Sequence, residues 1–242
     1  MISVLTLTYQ RHHLLEEAIE SFLRQDFLGE SEMLIINDSQ EVEYVFEHPK
    51  IQIINLKERF PSVGLKLRFG FSQCKYDYIY RLDDDDLLAP WALSHTWEDI
   101  IKYPDFEIYR SDGHYYFENN KFNGISSNVN NGNVYSKKYL SRIEIPDSSF
   151  GEDYAITFNF NAKTYVSAHE KKTMLYRWGM GTYHISGMGE LSNNAINEWA
   201  DRIVETVAKE KDSSYEKGVI VLSPHFKQEY YQQICTSKGI KI

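Results

Sequence analysis

Apolar residues at the start of the chain fall into short blocks separated by polar turns. Ile2-Ser3-Val4-Leu5-Thr6-Leu7-Thr8 is apolar and β-branched, the make-up of a buried strand. Leu14, Leu15, Ala18, Ile19, Phe22 and Leu23 then recur at helical spacing. Met33-Leu34-Ile35-Ile36 predicts a second strand, closed by Asn37-Asp38-Ser39, and Ile51-Gln52-Ile53-Ile54 a third. A helix is predicted over 64–75, weakened by two glycines. Tyr78-Ile79-Tyr80-Arg81-Leu82 reads as a fourth strand running straight into Asp83-Asp84-Asp85-Asp86, and Pro90 suits the opening of the next helix. Strand, helix and strand in this alternation predict a parallel-type α/β sheet. Ligands of such sheets sit beyond the carboxyl ends of the strands. Thr8-Tyr9-Gln10, Asn37-Asp38-Ser39 and Asp83–Asp86 should therefore converge on one crevice.

The second half is less regular. The asparagine-rich stretch 118–133 carries turn chemistry and predicts a mobile connection between aromatic strands. Gly151-Glu152-Asp153 precedes a helix expected from Tyr154. Glycines at 179, 181, 187 and 189 bracket His184 and predict a flexible loop. In the tail, Ala195, Ile196, Trp199, Ala200, Ile203, Val204, Val207 and Ala208 mark an amphipathic helix. A strand over 218–222 and a helix over 226–236 follow.

Composition narrows the function classes. The 242 residues are 42% hydrophobic and 25% charged, enough for one large domain that needs no disulfides. Cys74 and Cys235 read as reduced thiols of a cytoplasmic protein. The net charge of −9, with no basic stripe, argues against nucleic acid and against charge-driven binding to anionic lipid. No apolar run approaches the about 18 residues of a membrane span, and the N-terminus lacks the pattern of a signal peptide. Eighteen tyrosines supply flat faces with hydroxyls, suited to sugars and nucleobases as well as to a core.

The aspartate run carries the clearest chemistry. Four successive carboxylates repel one another, and apolar residues on both sides imply partial burial. Buried carboxylates need a counter-charge. A divalent cation supplies it, and an all-oxygen donor set suits Mg²⁺ or Mn²⁺. Such a metal would neutralise the charge that develops on a departing diphosphate.

In the order in which they occur, these motifs resemble the family 2 glycosyltransferases with the GT-A fold. The matching residues are Thr8-Tyr9-Gln10-Arg11, Ala18-Ile19-Glu20-Ser21-Phe22-Leu23-Arg24-Gln25, Asn37-Asp38-Ser39, the Asp-x-Asp-Asp pattern within 82–90, and Gly151-Glu152-Asp153. Gln10 stands where the family has Asn, and Asn37 where it has Asp. The resemblance spans about residues 2–187. It implies a Rossmann-like, mostly parallel central sheet flanked by helices, with a small C-terminal α/β extension. Residues 1–190 would be the transferase domain (1–110 the nucleotide-sugar-binding half, 111–190 the acceptor-side half) and 191–242 the extension.

The resemblance also implies roles. Leu7, Thr8 and Tyr9 would border the nucleobase, Tyr9 by stacking, and Asp38 would accept a hydrogen bond from the base. Lys66 or Arg68 would touch the diphosphate. Asp83 and Asp84 would lie near ribose and metal, and Asp85 would bind the metal directly. Asp153 would be the general base toward the acceptor hydroxyl, with Glu152 positioning that acceptor. His184 is the best-placed late histidine to complete the metal site, and Arg177 and Trp178 are candidates for phosphate and sugar contacts. The partners are then a nucleotide-diphosphate sugar and a glycan or other hydroxyl acceptor. One base opposite a leaving diphosphate suffices for inversion, and no motif nominates the second carboxylate of a covalent route. Two readings compete. A sugar-nucleotide pyrophosphorylase should carry a glycine-rich basic loop after the first strand, and Thr8 to His13 has no glycine. A non-catalytic carbohydrate-binding module would account for the aromatics and aspartates but not for Asp153.

Overall fold

The computed structural model describes residues 1–127, 131–149, 151–159, 161–178 and 217–239. His184, the glycine loop around it and the amphipathic segment 195–208 lie outside these residues. The chain begins with β1 (Ile2–Thr8), α1 (His12–Leu23), β2 (Ser31–Asn37), β3 (Val42–Val45), β4 (Ile51–Asn55), α2 (Val63–Gln73) and β5 (Tyr78–Arg81). It continues through β6 (Leu87–Leu88), α3 (Ala92–Lys102), β7 (Ile108–Ser111), β8 (His114–Glu118), β9 (Lys121–Ser126) and β10 (Val134–Ser136). Then come α4 (Lys137–Leu140), α5 (Glu152–Thr157), β11 (Thr164–Ser167), β12 (Met174–Trp178), β13 (Gly218–Val221) and α6 (Tyr230–Lys238).

A seven-stranded sheet in the order β11-β7-β10-β5-β1-β2-β4 forms the centre. All its pairings are parallel except the two made by β10, which runs antiparallel between β5 and β7. Successive side chains of a strand point to opposite faces, and both faces here are covered. Ile2, Val4, Met33 and Ile35 join Leu15, Ala18, Ile19 and Phe22 of α1 and Leu93 of α3. On the other face Leu5, Leu34 and Ile36 join Leu67 and Phe71 of α2 and Ile156 of α5. This double burial is why Met33–Ile36 of β2 reads as an unbroken apolar run and why even Ser3 and Thr6 of β1 are buried.

A second sheet, β6-β12-β8-β9, sits beside the first. Over 118–126 it corrects the expectation of a mobile connection, while residues 128–130 of that stretch lie outside the described residues. Asn119 and Asn120 both take positive φ, 48° and 67°, and form a tight turn that joins β8 directly to β9. Asparagine tolerates the left-handed conformation, so paired asparagines can close a hairpin as well as loosen a loop.

The tail also packs on the body. β13 runs parallel to β3 through Gly218↔Val42 to Val221↔Val45. Tyr230 and Ile234 of α6 enter a third apolar cluster with Leu87, Trp91, Tyr115 and Phe117. The final helix starts at Tyr230 rather than 226 and ends at Gly239 in the left-handed conformation, φ 67°. Among the described residues, no helix is long and apolar enough to cross a membrane. Cys74 and Cys235 are both unpaired.

Candidate active site

The parallel register places the polar strand ends together. Thr8 is level with Asn37, and Leu5 is level with Arg81, so the chain leaves β5 for the aspartate run beneath the end of β1. Asn37 organises the next turn. Its amide donates to the Val42 carbonyl at 2.8 Å and to Asn55 Oδ1 at 2.9 Å, and its own oxygen accepts from Ser39 N at 3.1 Å. A carboxylate could not donate the first two bonds, which explains why Asn stands there instead of Asp. Gln10 bridges the two loops, Nε2 to Ser39 Oγ at 3.4 Å.

Lys66 lies one turn inside α2, whose N-terminus is capped by Ser62. Gly64 lets this helix approach the segment before α5, since an added Cβ would lie 1.9 Å from the Pro146 carbonyl oxygen. The buried Lys66 ammonium donates to the Thr8 carbonyl at 2.7 Å and to Asp38 Oδ1 at 2.6 Å. Burial pushes its pKa down while Asp38 opposes the change. Asp38 Oδ2 accepts from Phe60 N at 3.0 Å, so both of its oxygens have partners within the protein. The Tyr9 ring carries the Arg59 guanidinium 3.9 Å from its centroid. Arg68 does not join this group. It is exposed, and two residues along a helix turn a side chain by about 200°.

The aspartate run is mostly buried. Asp84, Asp85 and Asp86 are 0%, 4% and 1% exposed, and Asp83 is half-buried. Carboxylate oxygens of Asp83, Asp85 and Asp86 lie within 4.8 Å of one another. Asp84 pairs with Arg11, whose Nε is 3.2 Å from its Oδ2, and Arg11 also reaches Asp85 Oδ2 at 3.2 Å. Burial lifts the Asp84 carboxyl to about 6, with Arg11 pulling it down and Asp85 adding to the rise. Asp86 is pushed well above the ordinary range by burial and by its like-charged neighbours. Two bonds aim it: Oδ1 accepts Arg177 N at 2.8 Å and Oδ2 accepts Asn131 Nδ2 at 2.5 Å. Three hard oxygen donors from a run of four carboxylates, which only Arg11 and Arg81 pair among the described residues, fit a divalent cation.

The Gly151-Glu152-Asp153 motif arrives from the other half of the chain. Gly151 has φ 74° and forms the N-terminal boundary of α5. Glu152 is buried, with Oε1 3.7 Å from Arg81 Nη2, and Arg81 Nε is 3.4 Å from Asp83 Oδ1. One buried guanidinium thus stands between the aspartate run and the start of α5. Burial works against its charge, but Asp83 and Glu152 outweigh this and hold it protonated. Burial raises Glu152, and Arg81 opposes the rise. Asp153 is partly exposed, and its Oδ1 accepts the Tyr154 backbone N–H at 2.7 Å.

Arg177 corrects its sequence-based assignment to a phosphate. It is 1% exposed and forms an ion pair with Glu17 at 2.6 Å. Trp178 is partly buried, and its carbonyl accepts Asn119 N at 3.0 Å. The sequence pattern gives no individual role to Arg11, Arg81, Glu17 or Asp86, although Asp86 lies within the Asp-x-Asp-Asp motif. Arg81 was the most legible of the four, because a charged residue in an apolar strand needs a reason.

A family model described as Glycosyl transferase family 2 matches residues 3–161. Among solved structures, the chain is similar to S. aureus TarS, with 16% identity and a TM-score of 0.57 over 73% of this chain and 36% of that one. It is also similar to S. aureus TarS 1–349 in complex with UDP-GlcNAc, with 15% identity and a TM-score of 0.59 over 89% and 68%. A third is the mannosyltransferase PcManGT from Pyrobaculum calidifontis in complex with GDP-Man and Mn²⁺, with 14% identity and a TM-score of 0.53 over 89% and 65%. The chain therefore spans about a third of the first of these structures. No curated protein matches it. With the GT-A-type sheet, the converging strand ends and a family match over most of its length, the chain belongs to glycosyl transferase family 2.

Proposed function

We propose that the protein is a metal-dependent, inverting glycosyltransferase that moves a sugar from a nucleotide-diphosphate sugar to an acceptor hydroxyl, with a glycan as the acceptor. The observation that carries this reading is the convergence of Asp83, Asp85 and Asp86 beside the start of α5, with Arg81 between them. The relatives named above were captured with UDP-GlcNAc and with GDP-Man and Mn²⁺, which supports the same donor class here.

In this reading Asp83, Asp85 and Asp86 hold Mn²⁺ or Mg²⁺, with His184 as a candidate fourth ligand. The ion, when bound, supplies Lewis-acid stabilisation of the diphosphate leaving group. Leu7, Thr8 and the open face of Tyr9 border the base. Asp38 and Lys66 hold the Thr8 turn in shape. Asp84 and Arg11 brace the run from behind. Asp153 lies at the exposed start of α5. Its carboxylate takes the proton of the acceptor hydroxyl as that oxygen attacks the anomeric carbon. Glu152, fixed against Arg81, sets the position of α5. Residues 1–190 form the transferase domain and 191–242 its extension.

Incubation with UDP-, GDP- and dTDP-sugars and Mn²⁺ tests the proposal. Slow metal-dependent release of nucleotide diphosphate from one of them is expected. Release of pyrophosphate from a nucleoside triphosphate and a sugar phosphate would overturn it in favour of a nucleotidyltransferase. Sugar binding without turnover would overturn it in favour of a binding module.

A further inference from the structure

Three segments far apart in the chain meet behind the aspartate run. Glu17 lies on α1, Arg177 on β12 and Tyr230 at the start of α6, and they are 0%, 1% and 1% exposed. Arg177 Nη1 donates to Glu17 Oε2 at 2.6 Å and to the Tyr230 hydroxyl at 3.0 Å. That hydroxyl donates to Glu17 Oε1 at 2.9 Å, which also accepts Lys227 N at 2.9 Å. The other side of Arg177 faces the candidate metal loop. Its Nε donates to the Asp85 carbonyl, and its backbone N donates to Asp86 Oδ1 at 2.8 Å.

We infer that Glu17, Arg177 and Tyr230 are positioning residues for the metal loop, and that the C-terminal segment 217–239 is thereby part of the active site. This rests on the metal reading of Asp83, Asp85 and Asp86 given above.

The physical case starts from cost. Burying an ion pair takes several kcal/mol of desolvation per ion, and only good geometry with every group satisfied recovers it, whereas Arg177 Nη2 is buried with no hydrogen-bond partner among the described residues. An apolar trio would stabilise the fold as well or better. What the charged trio adds is direction. The guanidinium is planar and its donors diverge at fixed angles, so Glu17 and Tyr230 on one edge determine where Nε points on the other. That N–H holds the Asp85 carbonyl, while the adjoining backbone N–H of Arg177 holds Asp86. One arginine thus fixes the backbone of Asp85 through its guanidinium and the carboxylate of Asp86 through its own backbone N–H. The tail helix is tied to the same place again, since the Tyr231 hydroxyl donates to the Leu88 carbonyl at 2.7 Å, two residues beyond the run. Partners of metal ligands govern metal affinity, and losing one typically costs about 10- to 100-fold.

The test is Mn²⁺ binding, measured as free Mn²⁺ by electron paramagnetic resonance, with thermal unfolding followed in EDTA. Tyr230→Phe removes one hydroxyl and keeps the ring that packs on Phe117 and Phe226. Mn²⁺ affinity is expected to fall about tenfold. Tyr109→Phe is the control. It deletes a hydroxyl bonded to the Tyr103 carbonyl at 2.8 Å on β7, and it should lower the melting temperature without changing Mn²⁺ affinity. Glu17→Gln is the second variant and should weaken Mn²⁺ binding in the same direction. Either variant decides the matter if its far-ultraviolet circular dichroism is that of the wild type. Wild-type Mn²⁺ affinity in either folded variant would overturn the positioning role and leave the proposed function standing. A wild-type protein that binds neither Mn²⁺ nor Mg²⁺ would overturn the metal reading, and this inference with it.

Discussion

The two sides of the candidate site are built differently. The strand-end side is dense with internal partners: Lys66 with Asp38 and Thr8, Arg11 with Asp84 and Asp85, Asn37 with Val42 and Asn55. Its polar groups are buried and aimed before any ligand arrives. The α5 side is one short helix with a left-handed glycine at its start, a half-exposed Asp153 and an exposed Tyr154. Such a contrast suits two substrates of different kind. A nucleotide diphosphate is the same molecule at every turnover and favours a pre-set cradle, whose polar groups cost no reorganisation. An acceptor that grows or varies favours an open edge, where only the reacting hydroxyl is held closely.

The largest test of this contrast is to empty the cradle. EDTA, or Asp85→Ala, should abolish transfer, a loss on the order of 10³-fold or more given the several kcal/mol a metal supplies. The fold should survive, because removing one carboxylate relieves repulsion within the run. Full activity of the Asp85→Ala variant, or in EDTA, would refute the metal assignment.

Next comes the open side. Asp153→Asn keeps size and removes the proton-accepting charge. Transfer should fall about 10²–10⁴-fold while Mn²⁺ and nucleotide bind nearly as in the wild type, read by calorimetry. An equal loss of nucleotide affinity would move Asp153 to the donor side and erase the distinction. The anomeric configuration of fresh product, followed by NMR, is an independent check, and retention would overturn the single-base mechanism.

A stability measurement should separate the two sides further. Asp38→Ala leaves the Lys66 ammonium buried without its carboxylate, a change that typically costs about 3–5 kcal/mol. Urea unfolding should show a loss of that size. A cost below about 1 kcal/mol would mean that the strand-end side is less tightly built than its bonds imply.

The smallest expected effect is at Gly151. A Cβ there meets nothing within 4 Å, so Gly151→Ala strains only the backbone at φ 74°. The expected cost is about 1 kcal/mol, with a lower transfer rate as α5 shifts and Mn²⁺ affinity unchanged. Altered Mn²⁺ affinity would show that the two sides are mechanically coupled.

Much of this molecule follows from local pattern alone. Strands β1, β2, β4 and β5 and helix α1 fall where the apolar periodicity puts them, because a doubly covered parallel sheet demands unbroken apolar runs and an amphipathic helix demands its own spacing. An acidic run is usually a solvated turn, and it is the apolar residues on both sides of Asp83–Asp86 that point to burial and to a counter-charge. What pattern could not supply is the set of partners. Glu17 and Arg177 are 160 residues apart, and Glu17 and Tyr230 are 213 apart. No window along the chain contains both members of either pair. Arg81 and Glu152 meet because β5 lies at the sheet centre and α5 packs on its face, and Asp86 joins the candidate metal cluster with Arg177 and Asn131 bonded to its two oxygens. The hairpin at Asn119-Asn120 was misread for a related reason, since the same residues serve a loose loop or a tight turn and only the flanking strands decide. Sequence determined which groups are costly to bury. The tertiary structure decided which opposite charge makes each burial tolerable, because electrostatic compensation acts through space and over a few ångströms.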